Sequence, residues 1–388
     1  MREVRRREAL GGLIVAAAAA VLGGTGAAGC DVARAHTTNK LAVPGTLLWR
    51  FRTGAGGDQV SLAAADGMVY VDGVAPPVHT GVTYGINATT GQETWRTHRS
   101  AIKLGYAAGA GAVFGSLASS KVTNTIAALD AATGRARWKY GMAGTLSALT
   151  YADGIVYAQT PGPGLLALDA RTGHRRWGLT DLASQAIADD TTYVSHRIVE
   201  PSVVEHDVAN HSVVKHAKNG ASSGRLAALD GATGAQRWQV ITGQVLQPLV
   251  VADGVVCGLA SGQAYAFSSA AGHPLWHTSL AGLQNPPVPA MADGTVFFVR
   301  DQVWALDART GARAWTRGAA AGQRLRALET GSGTLYLGMA DGTLLALAAG
   351  TGKTRWSQRL GSPVARIVTA GNAVYAADVN GVVHAFRT

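Results

Sequence analysis

The chain has 388 residues, long enough for one large ring of repeats or for two ordinary domains. Only 15% of the residues are charged, 50 are glycine, and no long amphipathic helix follows residue 30, which favours closely packed sheets over a helical fold. The formal net charge is +10 at pH 7, but the export signal described next argues against nucleic acid as a partner.

The first 29 residues have the pattern of a signal peptide. A basic stretch over 1–7 precedes an apolar stretch over 9–28. The pair Arg6-Arg7 resembles a twin-arginine export signal, and the general export route is the alternative. We therefore predict that the protein is exported.

Cys30 ends a run of small residues, Ala27-Ala28-Gly29-Cys30, that resembles the lipobox of lipoproteins. This predicts lipidation of Cys30 and a tether over residues 30–44 that holds the protein on the outer face of the cell membrane. Residues 33–35 (ARA) fit an alternative cleavage site after Ala35, which would release a secreted protein. A third possibility is an uncleaved anchor of about 19 apolar residues.

A unit of two hairpins recurs along the rest of the chain. An Asp-Gly pair before apolar residues, as in 152–157 (ADGIVY), predicts a tight type I′ hairpin. A strand, a turn with Gly and a strand ending in Trp follow, most clearly in 304–315 (WALDARTGARAW). Two hairpins make one four-stranded antiparallel sheet. The second hairpin recurs at 128–138, 167–177 and 228–238, and in looser form at 86–95, 266–276 and 346–356.

The spacing of the tryptophans predicts a closed ring. Successive gaps are 46, 43, 39, 61, 38, 39 and 41 residues. Four-stranded repeats of about 40–50 residues are typical of β-propeller blades. Seven units lie between Trp49 and Trp356, and the tail adds three strands, the last at 382–386. Residues 47–51 fit the missing fourth strand, so we predict an all-β, eight-bladed propeller over 45–388, closed by an N-terminal strand.

The motif A-x-D-x-x-T-G-x-x-x-W resembles the tryptophan-docking motif of the PQQ-like (pyrroloquinoline quinone) β-propellers. That family includes quinoprotein dehydrogenases and non-enzymatic exported lipoproteins. The resemblance implies that each Trp packs between blades over a Thr-Gly turn. Asn87, Ser268 and Ala348 replace the motif Asp, and these turns lose a carboxylate. The implied docking residues are Trp49, Trp95, Trp138, Trp177, Trp238, Trp276, Trp315 and Trp356.

Loops of variable length fall at one position of the repeat, between the second and third strands, and predict one elaborated side of the ring. The connections span 72–81 in blade 1 and 117–125 in blade 2. Blade 4 carries an insertion over 196–224, which could form an extra hairpin that binds a partner, hold a metal ion, or be neutral. The loop contains four histidines, His196, His206, His211 and His216.

Basic residues precede many of the tryptophans and predict a basic rim on the outer strands, which favours anionic lipid or a wall polymer at a membrane surface. A merely solvated rim is the alternative. The residues are Arg135, Arg137, Arg175, Arg176, Arg237, Arg313 and Arg355. Cys257 in a predicted strand is expected to be a buried apolar residue.

No catalytic constellation is present in the sequence. We find no vicinal Cys pair, no dense carboxylate cluster for calcium and no nucleophile motif such as G-x-S-x-G. We therefore expect a protein-interaction scaffold or ligand sensor without catalytic residues, resident cofactor or metal, whose protein partner the sequence does not identify. A small quinoprotein oxidoreductase using PQQ and calcium, and a cell-wall carbohydrate-binding module, are the alternatives.

Overall fold

The Asp-Gly pairs form the tight hairpins that the sequence predicts. Asp66 and Gly67 have φ of 51° and 74°, and the pairs at 153–154, 253–254 and 293–294 have the same signs. Positive φ at both central residues defines the type I′ turn, whose twist matches that of the flanking strands. Ala110-Gly111 and Ser332-Gly333 form the same turn without an aspartate.

The computed structural model describes residues 43–53, 60–75, 80–100, 107–118, 123–143, 146–160, 164–180, 182–198, 223–280, 288–300, 302–318 and 324–388. These residues form eight four-stranded antiparallel sheets. The all-β, eight-bladed propeller predicted from the sequence is confirmed.

The chain enters through β1 (Leu47–Arg52) and then builds the first four blades in order. Blade 1 is β2 (Ser61–Ala65), β3 (Met68–Ala75), β4 (Thr80–Asn87) and β5 (Glu93–Ser100). Blade 2 is β6 (Ala107–Gly109), β7 (Ala112–Ala118), β8 (Thr123–Asp130) and β9 (Ala136–Ala143). Blade 3 is β10 (Ala148–Ala152), β11 (Ile155–Thr160), β12 (Gly164–Asp169) and β13 (Arg175–Leu179). Blade 4 is β14 (Leu182–Ala188), β15 (Thr191–Ile198), β16 (Ser223–Asp230) and β17 (Gln236–Ile241).

The remaining strands complete the ring. Blade 5 is β18 (Leu249–Ala252), β19 (Val255–Ala260), β20 (Gln263–Ser268) and β21 (Pro274–Ser279). Blade 6 is β22 (Val288–Ala292), β23 (Thr295–Val299), β24 (Gln302–Asp307) and β25 (Arg313–Gly318). Blade 7 is β26 (Leu325–Gly331), β27 (Thr334–Met339), β28 (Thr343–Ala348) and β29 (Thr354–Arg359). Blade 8 is β30 (Val364–Ala370), β31 (Ala373–Asp378), β32 (Val382–Arg387) and β1.

Strand β1 closes the ring, as predicted, and we call this strand with the entry residues 43–46 the latch. It pairs antiparallel with β32, with Arg50 opposite His384 and Phe51 opposite Val383. The N–H of Gly45 donates to the carbonyl of Arg387 at 2.8 Å, so pairing begins just before the strand itself. Blade 8 thereby joins the two ends of the described chain, and its third strand is covered instead of being left as an open edge.

Indole N–H groups tie neighbouring blades together at seven junctions of the ring. Each Nε1–H donates to a backbone carbonyl in the following blade at 2.8–2.9 Å, and the glycine of that blade's turn lies against the indole ring. The pairs are Trp49–Ala88, Trp95–Ala131, Trp138–Ala170, Trp177–Gly231, Trp238–Ser269, Trp276–Ala308 and Trp315–Ala349. The eighth indole, Trp356, packs on Gly45 before β1 instead of on a Thr-Gly turn.

A second aromatic ring supports each docking tryptophan, except in blade 5. The ring comes from the second strand of the same blade, with centroids 5.7–6.1 Å from the indole. In blade 5 this position is Cys257, which is fully buried, as predicted. The supporting residues are Tyr70, Phe114, Tyr157, Tyr193, Phe297, Tyr336 and Tyr375.

Antiparallel pairing gives the ring two distinct faces. The first-to-second turn of every blade and the third-to-fourth turn of blades 1–7 lie on one face, which we call the turn face. The second-to-third loops and the connections between blades lie on the other, the connection face. The carboxylate of Asp66 on the turn face accepts from the Gly111 N–H at 2.8 Å, and that of Asp253 accepts from Gly294 at 2.6 Å. These bonds join successive blades at their turns.

Two predicted loops are shorter than the sequence suggested. In blade 1, strands β3 and β4 pair out to Ala75 and Thr80, so most of 72–81 is hairpin. In blade 2, β7 and β8 reach Ala118 and Thr123. Period-2 apolar patterning is weak in these Gly- and Thr-rich stretches, and continuous ladder hydrogen bonding extends them nonetheless.

The contact between Gly45 and Trp356 predicts a large effect of a small change. Gly45 has φ +79°, and a Cβ added there would lie 2.6 Å from Cγ of Trp356. Gly67 has a similar φ of +74°, but a Cβ there meets nothing within 4 Å. Both Gly→Ala changes carry the backbone strain, and only Gly45→Ala also clashes with Trp356. We expect Gly45→Ala to lower the free energy of unfolding by about 1–3 kcal/mol more than Gly67→Ala, measured in urea.

Equal losses for the two variants would show that the closure does not depend on this contact.

Candidate partner-binding face and axial strands

The motif aspartates organise the third-to-fourth turns. Oδ1 of Asp130 accepts from the backbone N–H groups of Ala132 and Thr133 and from the Thr133 hydroxyl, and Oδ2 accepts from Arg137 at 2.8 Å. Arg137 first, and Thr133 second, lower the pKa of Asp130 to about 2. Asp169 with Arg176 and Asp230 with Arg237 repeat the arrangement at 2.6 and 2.8 Å.

These ion pairs change the interpretation of the basic rim. Three of the predicted rim cations, Arg137, Arg176 and Arg237, are bound to aspartates of their own blade. Arg313 lies over the Trp304 ring at 5.8 Å. Among the described residues the exposed rim cations without a side-chain partner include Arg135, Arg175 and Arg355. The rim is therefore less positive than a count of arginines indicates.

The three turns that lack the aspartate keep their backbone bonds. Gly91 donates to Asn87, Gly272 to Ser268 and Gly352 to Ala348, at 2.8–2.9 Å. The Asn87 side chain still accepts from the N–H groups of Thr89 and Thr90. The loss of the carboxylate therefore leaves the turn conformation unchanged.

The base of the blade-4 insertion is built into the sheet. Strands β15 and β16 pair from Thr191 opposite Asp230 out to Ile198 opposite Ser223, and His196 lies within this ladder opposite Arg225. His206, His211 and His216, with the rest of 199–222, lie outside the described residues. The predicted partner loop therefore springs from a regular hairpin on the connection face.

The segment between blades 4 and 5 supports this hairpin. The N–H of Leu246 donates to the Ser195 hydroxyl and that of Leu249 to the Ser184 hydroxyl, both at 3.0 Å. Thr242 donates to the Gly224 carbonyl at 2.8 Å, and a Cβ on Gly224 would collide with the backbone of Gln244. The hairpin base and the segment 242–248 form one packed platform, which we call the blade 4–5 platform.

Exposed apolar side chains lie beside this platform, on the outer strand of blade 5, and where the chain enters β1. Ile241, the last residue of β17, is 54% exposed, and Leu275 on β21 is 43% exposed. A second group, Val43, Leu47 and Leu48, lies where the chain enters β1. Exposed apolar residues next to ordered polar backbone are typical of contact surfaces.

The first strands of successive blades face one another around the axis of the ring. They are rich in Ala, Leu and Val, and in the described chain their charged residues are Arg326 and Glu329 on β26 and Arg366 on β30. Burial raises the pKa of Glu329 to about 8, and its carboxyl lies beside Thr369 of blade 8.

The axial strands that the structure describes offer few oxygen ligands to a calcium ion. Calcium takes six to eight oxygen ligands, several of them carboxylates. The described axial strands offer one carboxyl, Glu329, which is neutral at pH 7 and buried between blades 7 and 8. In the described residues, no group of three or more His, Cys, Asp or Glu side chains is placed to hold a metal ion.

One buried acid–base pair lies in blade 8. His384 Nε2 is 3.3 Å from Asp378 Oδ2, and Asp378 Oδ1 accepts from the N–H groups of Asn380 and Val382. The pair anchors the turn before β32, the strand that β1 joins. Neither residue belongs to the repeat, so the repeat pattern does not predict the pair.

Comparison with known proteins assigns the family. The family model described as "Outer membrane protein assembly factor BamB" matches residues 79–317 and 222–388. The chain belongs to this family. The comparison with curated proteins finds no match.

Solved structures share the fold of this BamB family member. BamB from Moraxella catarrhalis has a TM-score of 0.61 and 18% identity, covering 88% of this chain and 97% of that one. The computationally designed Ika8 protein has 0.61 and 15%, covering 87% and 100%. Quinohemoprotein alcohol dehydrogenase from Comamonas testosteroni has 0.57 and 16%, covering 88% and 76%. At such identities the likeness shows the fold alone, so it assigns neither catalysis nor a partner.

Within the described residues, no helix has the length and apolar character needed to cross a membrane.

The third-to-fourth turn of blade 7 lacks the motif aspartate, and a substitution at Ala348 can supply it. Arg355 stands seven residues after Ala348, the spacing at which Arg137 reaches Asp130. We expect Ala348→Asp to raise the free energy of unfolding by about 1 kcal/mol, because it supplies an acceptor for two turn N–H groups and for Arg355. Ala348→Asn supplies an acceptor for the turn N–H groups without the charge. The difference between the two variants in free energy of unfolding in urea therefore isolates the ion pair with Arg355. No gain from either variant would contradict this account of the motif.

The buried Glu329 predicts a pH-dependent stability. Its folded-state pKa of about 8 lies above the ordinary 4.5, so the folded protein binds this proton more tightly than the unfolded chain. The contribution of this proton to the free energy of unfolding is complete below pH 4.5 and is lost as the pH rises toward 8. We expect Glu329→Gln to flatten the fall in melting temperature between pH 6 and about 8.5 and to be more stable than wild type at the upper end.

Glu93→Gln, at a surface pair, is the control for a general charge effect. Superimposable profiles of wild type and Glu329→Gln would show that the carboxyl is not held protonated.

Proposed function

We propose that this protein is an exported, membrane-anchored, non-catalytic scaffold that binds a protein partner through the blade 4–5 platform. The BamB family assignment supports an assembly role in general terms. The observation that carries the site is the pairing of β15 and β16 out to Ile198 and Ser223 on a platform of ordered backbone. A surface of ordered backbone loses little conformational freedom when a partner binds, which lowers the ordering cost of binding.

Adjacent exposed residues complete this surface. Ile241 lies at the end of β17, next to Thr242, which holds Gly224 at the hairpin base. A partner strand or loop that buries Ile241 would therefore also contact the hairpin base. Apolar anchors flanked by polar groups are the usual centre of a protein interface.

The position of the chain entry supports an orientation. Gly45 pairs with Arg387 at the turn-face end of β32, whereas the blade-4 insertion leaves from the connection face. A lipid on Cys30 with a tether over 30–44 would hold the turn face toward the membrane. The blade 4–5 platform would then point away from the membrane, where a partner can reach it.

Photo-crosslinking in cells tests the proposed surface. A benzoylphenylalanine at position 241 is expected to crosslink to one defined protein, identified by mass spectrometry. The same probe at position 355, on the outer strand of blade 7, is the matched control. Replacing 199–222 by a two-residue Asn-Gly turn between Ile198 and Ser223 keeps the register and is expected to reduce the Ile241 crosslink at least tenfold.

Crosslinking that is equal at positions 241 and 355, or unchanged by the shortened loop, would reject the platform as the partner site.

Cys30→Ala is expected to move the protein from the membrane fraction to the soluble fraction, and an unchanged distribution would reject the lipid anchor.

A further inference from the structure

Two arginines stand on neighbouring axial strands at blades 7 and 8. Arg326 is on β26, at the bulge between Leu325 and Ala327, and Arg366 is on β30, opposite Ala377. Both side chains are half-buried. Arg324, which immediately precedes β26, adds a third, exposed cation at the same mouth of the axis.

Arg366 differs from the arginines that pair with the turn aspartates of the ring. Its Nη1 donates to the carbonyl of Ala365 at 3.2 Å, and the described residues supply its side chain with no carboxylate. The structural arginines, such as Arg137 and Arg176, instead bind aspartates at 2.6–2.8 Å. A guanidinium removed from water without a counter-charge is costly, so this one is poorly explained as a stabilising element.

The surroundings add to this cost. Desolvation first, and the charge of Arg326 second, lower the pKa of Arg366. Glu329 on β26 does not offset the charge, because burial keeps it protonated at pH 7 and its carboxyl lies beside Thr369. The axial end of blades 7 and 8 therefore brings two guanidinium groups close together among small apolar side chains.

We propose that Arg366 and Arg326 bind an oxyanion, a carboxylate or phosphate group of a small ligand, at the connection-face mouth of the axis. A guanidinium presents several N–H donors in a planar fork, which matches both groups. In a half-buried site the interaction is less screened by water than at the rim. This site is separate from the blade 4–5 platform and does not rest on the scaffold function.

Titration with two probes tests the site. Inorganic phosphate and oxalate are titrated into the full mature protein by calorimetry, each against potassium chloride at the same ionic strength. We expect saturable binding of at least one probe. Arg366→Ala should weaken it at least tenfold, and Arg326→Ala should weaken it as well. Arg175→Ala, which removes an exposed cation of the rim, should leave it unchanged. The tighter probe indicates which group the natural ligand carries.

A stability measurement separates a binding role from a structural one. In chloride buffer without oxyanions, Arg366→Met should melt at the same temperature as wild type or higher, because it removes a desolvated charge. A fall of several degrees would make Arg366 a structural residue and overturn the proposal. The absence of saturable binding of both probes, or binding unaffected by Arg366→Ala, would overturn it equally.

Discussion

The fold depends on the hydrogen bond from an indole N–H of one blade to a backbone carbonyl of the next. A single four-stranded sheet has two apolar faces and cannot bury either alone, so each blade needs a neighbour at a fixed distance and angle. The indole sets both, because its N–H must reach the carbonyl while its ring lies on a glycine that has no side chain to hold it away. The Asp-x-x-Thr-Gly turn presents that glycine and carbonyl together. Repeating the contact around the circle produces the ring.

This contact also decides where the molecule can vary. All third-to-fourth turns lie on the turn face, where their lengths are fixed by docking, and Asp66 and Asp253 tie neighbouring turns together. Lengthened hairpins appear on the connection face, at β3–β4, β7–β8 and β15–β16. The face that is free of docking contacts is therefore the one on which a family member can acquire a partner.

The blade count and the closure by β1 could be predicted because the determinants repeat. Each copy of the motif confirms the others, and the missing fourth strand in the tail identifies its replacement at Leu47–Arg52. The ring of supporting aromatics was missed although it also repeats, one residue beyond the Asp-Gly-x-Val pattern. A search for an aromatic three residues after the glycine of each Asp-Gly turn would have found Tyr70, Tyr157 and Phe297, and would have marked Cys257 as the exception.

The charged residues inside the ring could not be predicted in the same way. Arg366, Glu329 and the pair of Asp378 with His384 each occur once, so no repetition distinguishes them from surface residues. Their burial follows from the position of β30, β26 and β32 in the finished ring. The blade-4 insertion was visible as a long gap between Trp177 and Trp238, but the platform beneath it depends on contacts between Gly224 and Gln244 that length alone does not reveal.

Native-state hydrogen exchange tests the central claim that docking and the latch make one closed, cooperative ring. The account predicts that the ladder amides of β1 and β32 exchange with the same opening free energy as those of β16 in blade 4, because none can open without breaking the ring. Exchange of β1 at a much lower opening free energy, with the other seven blades still protected, would contradict it and show that the N-terminal strand is an accessory to the fold.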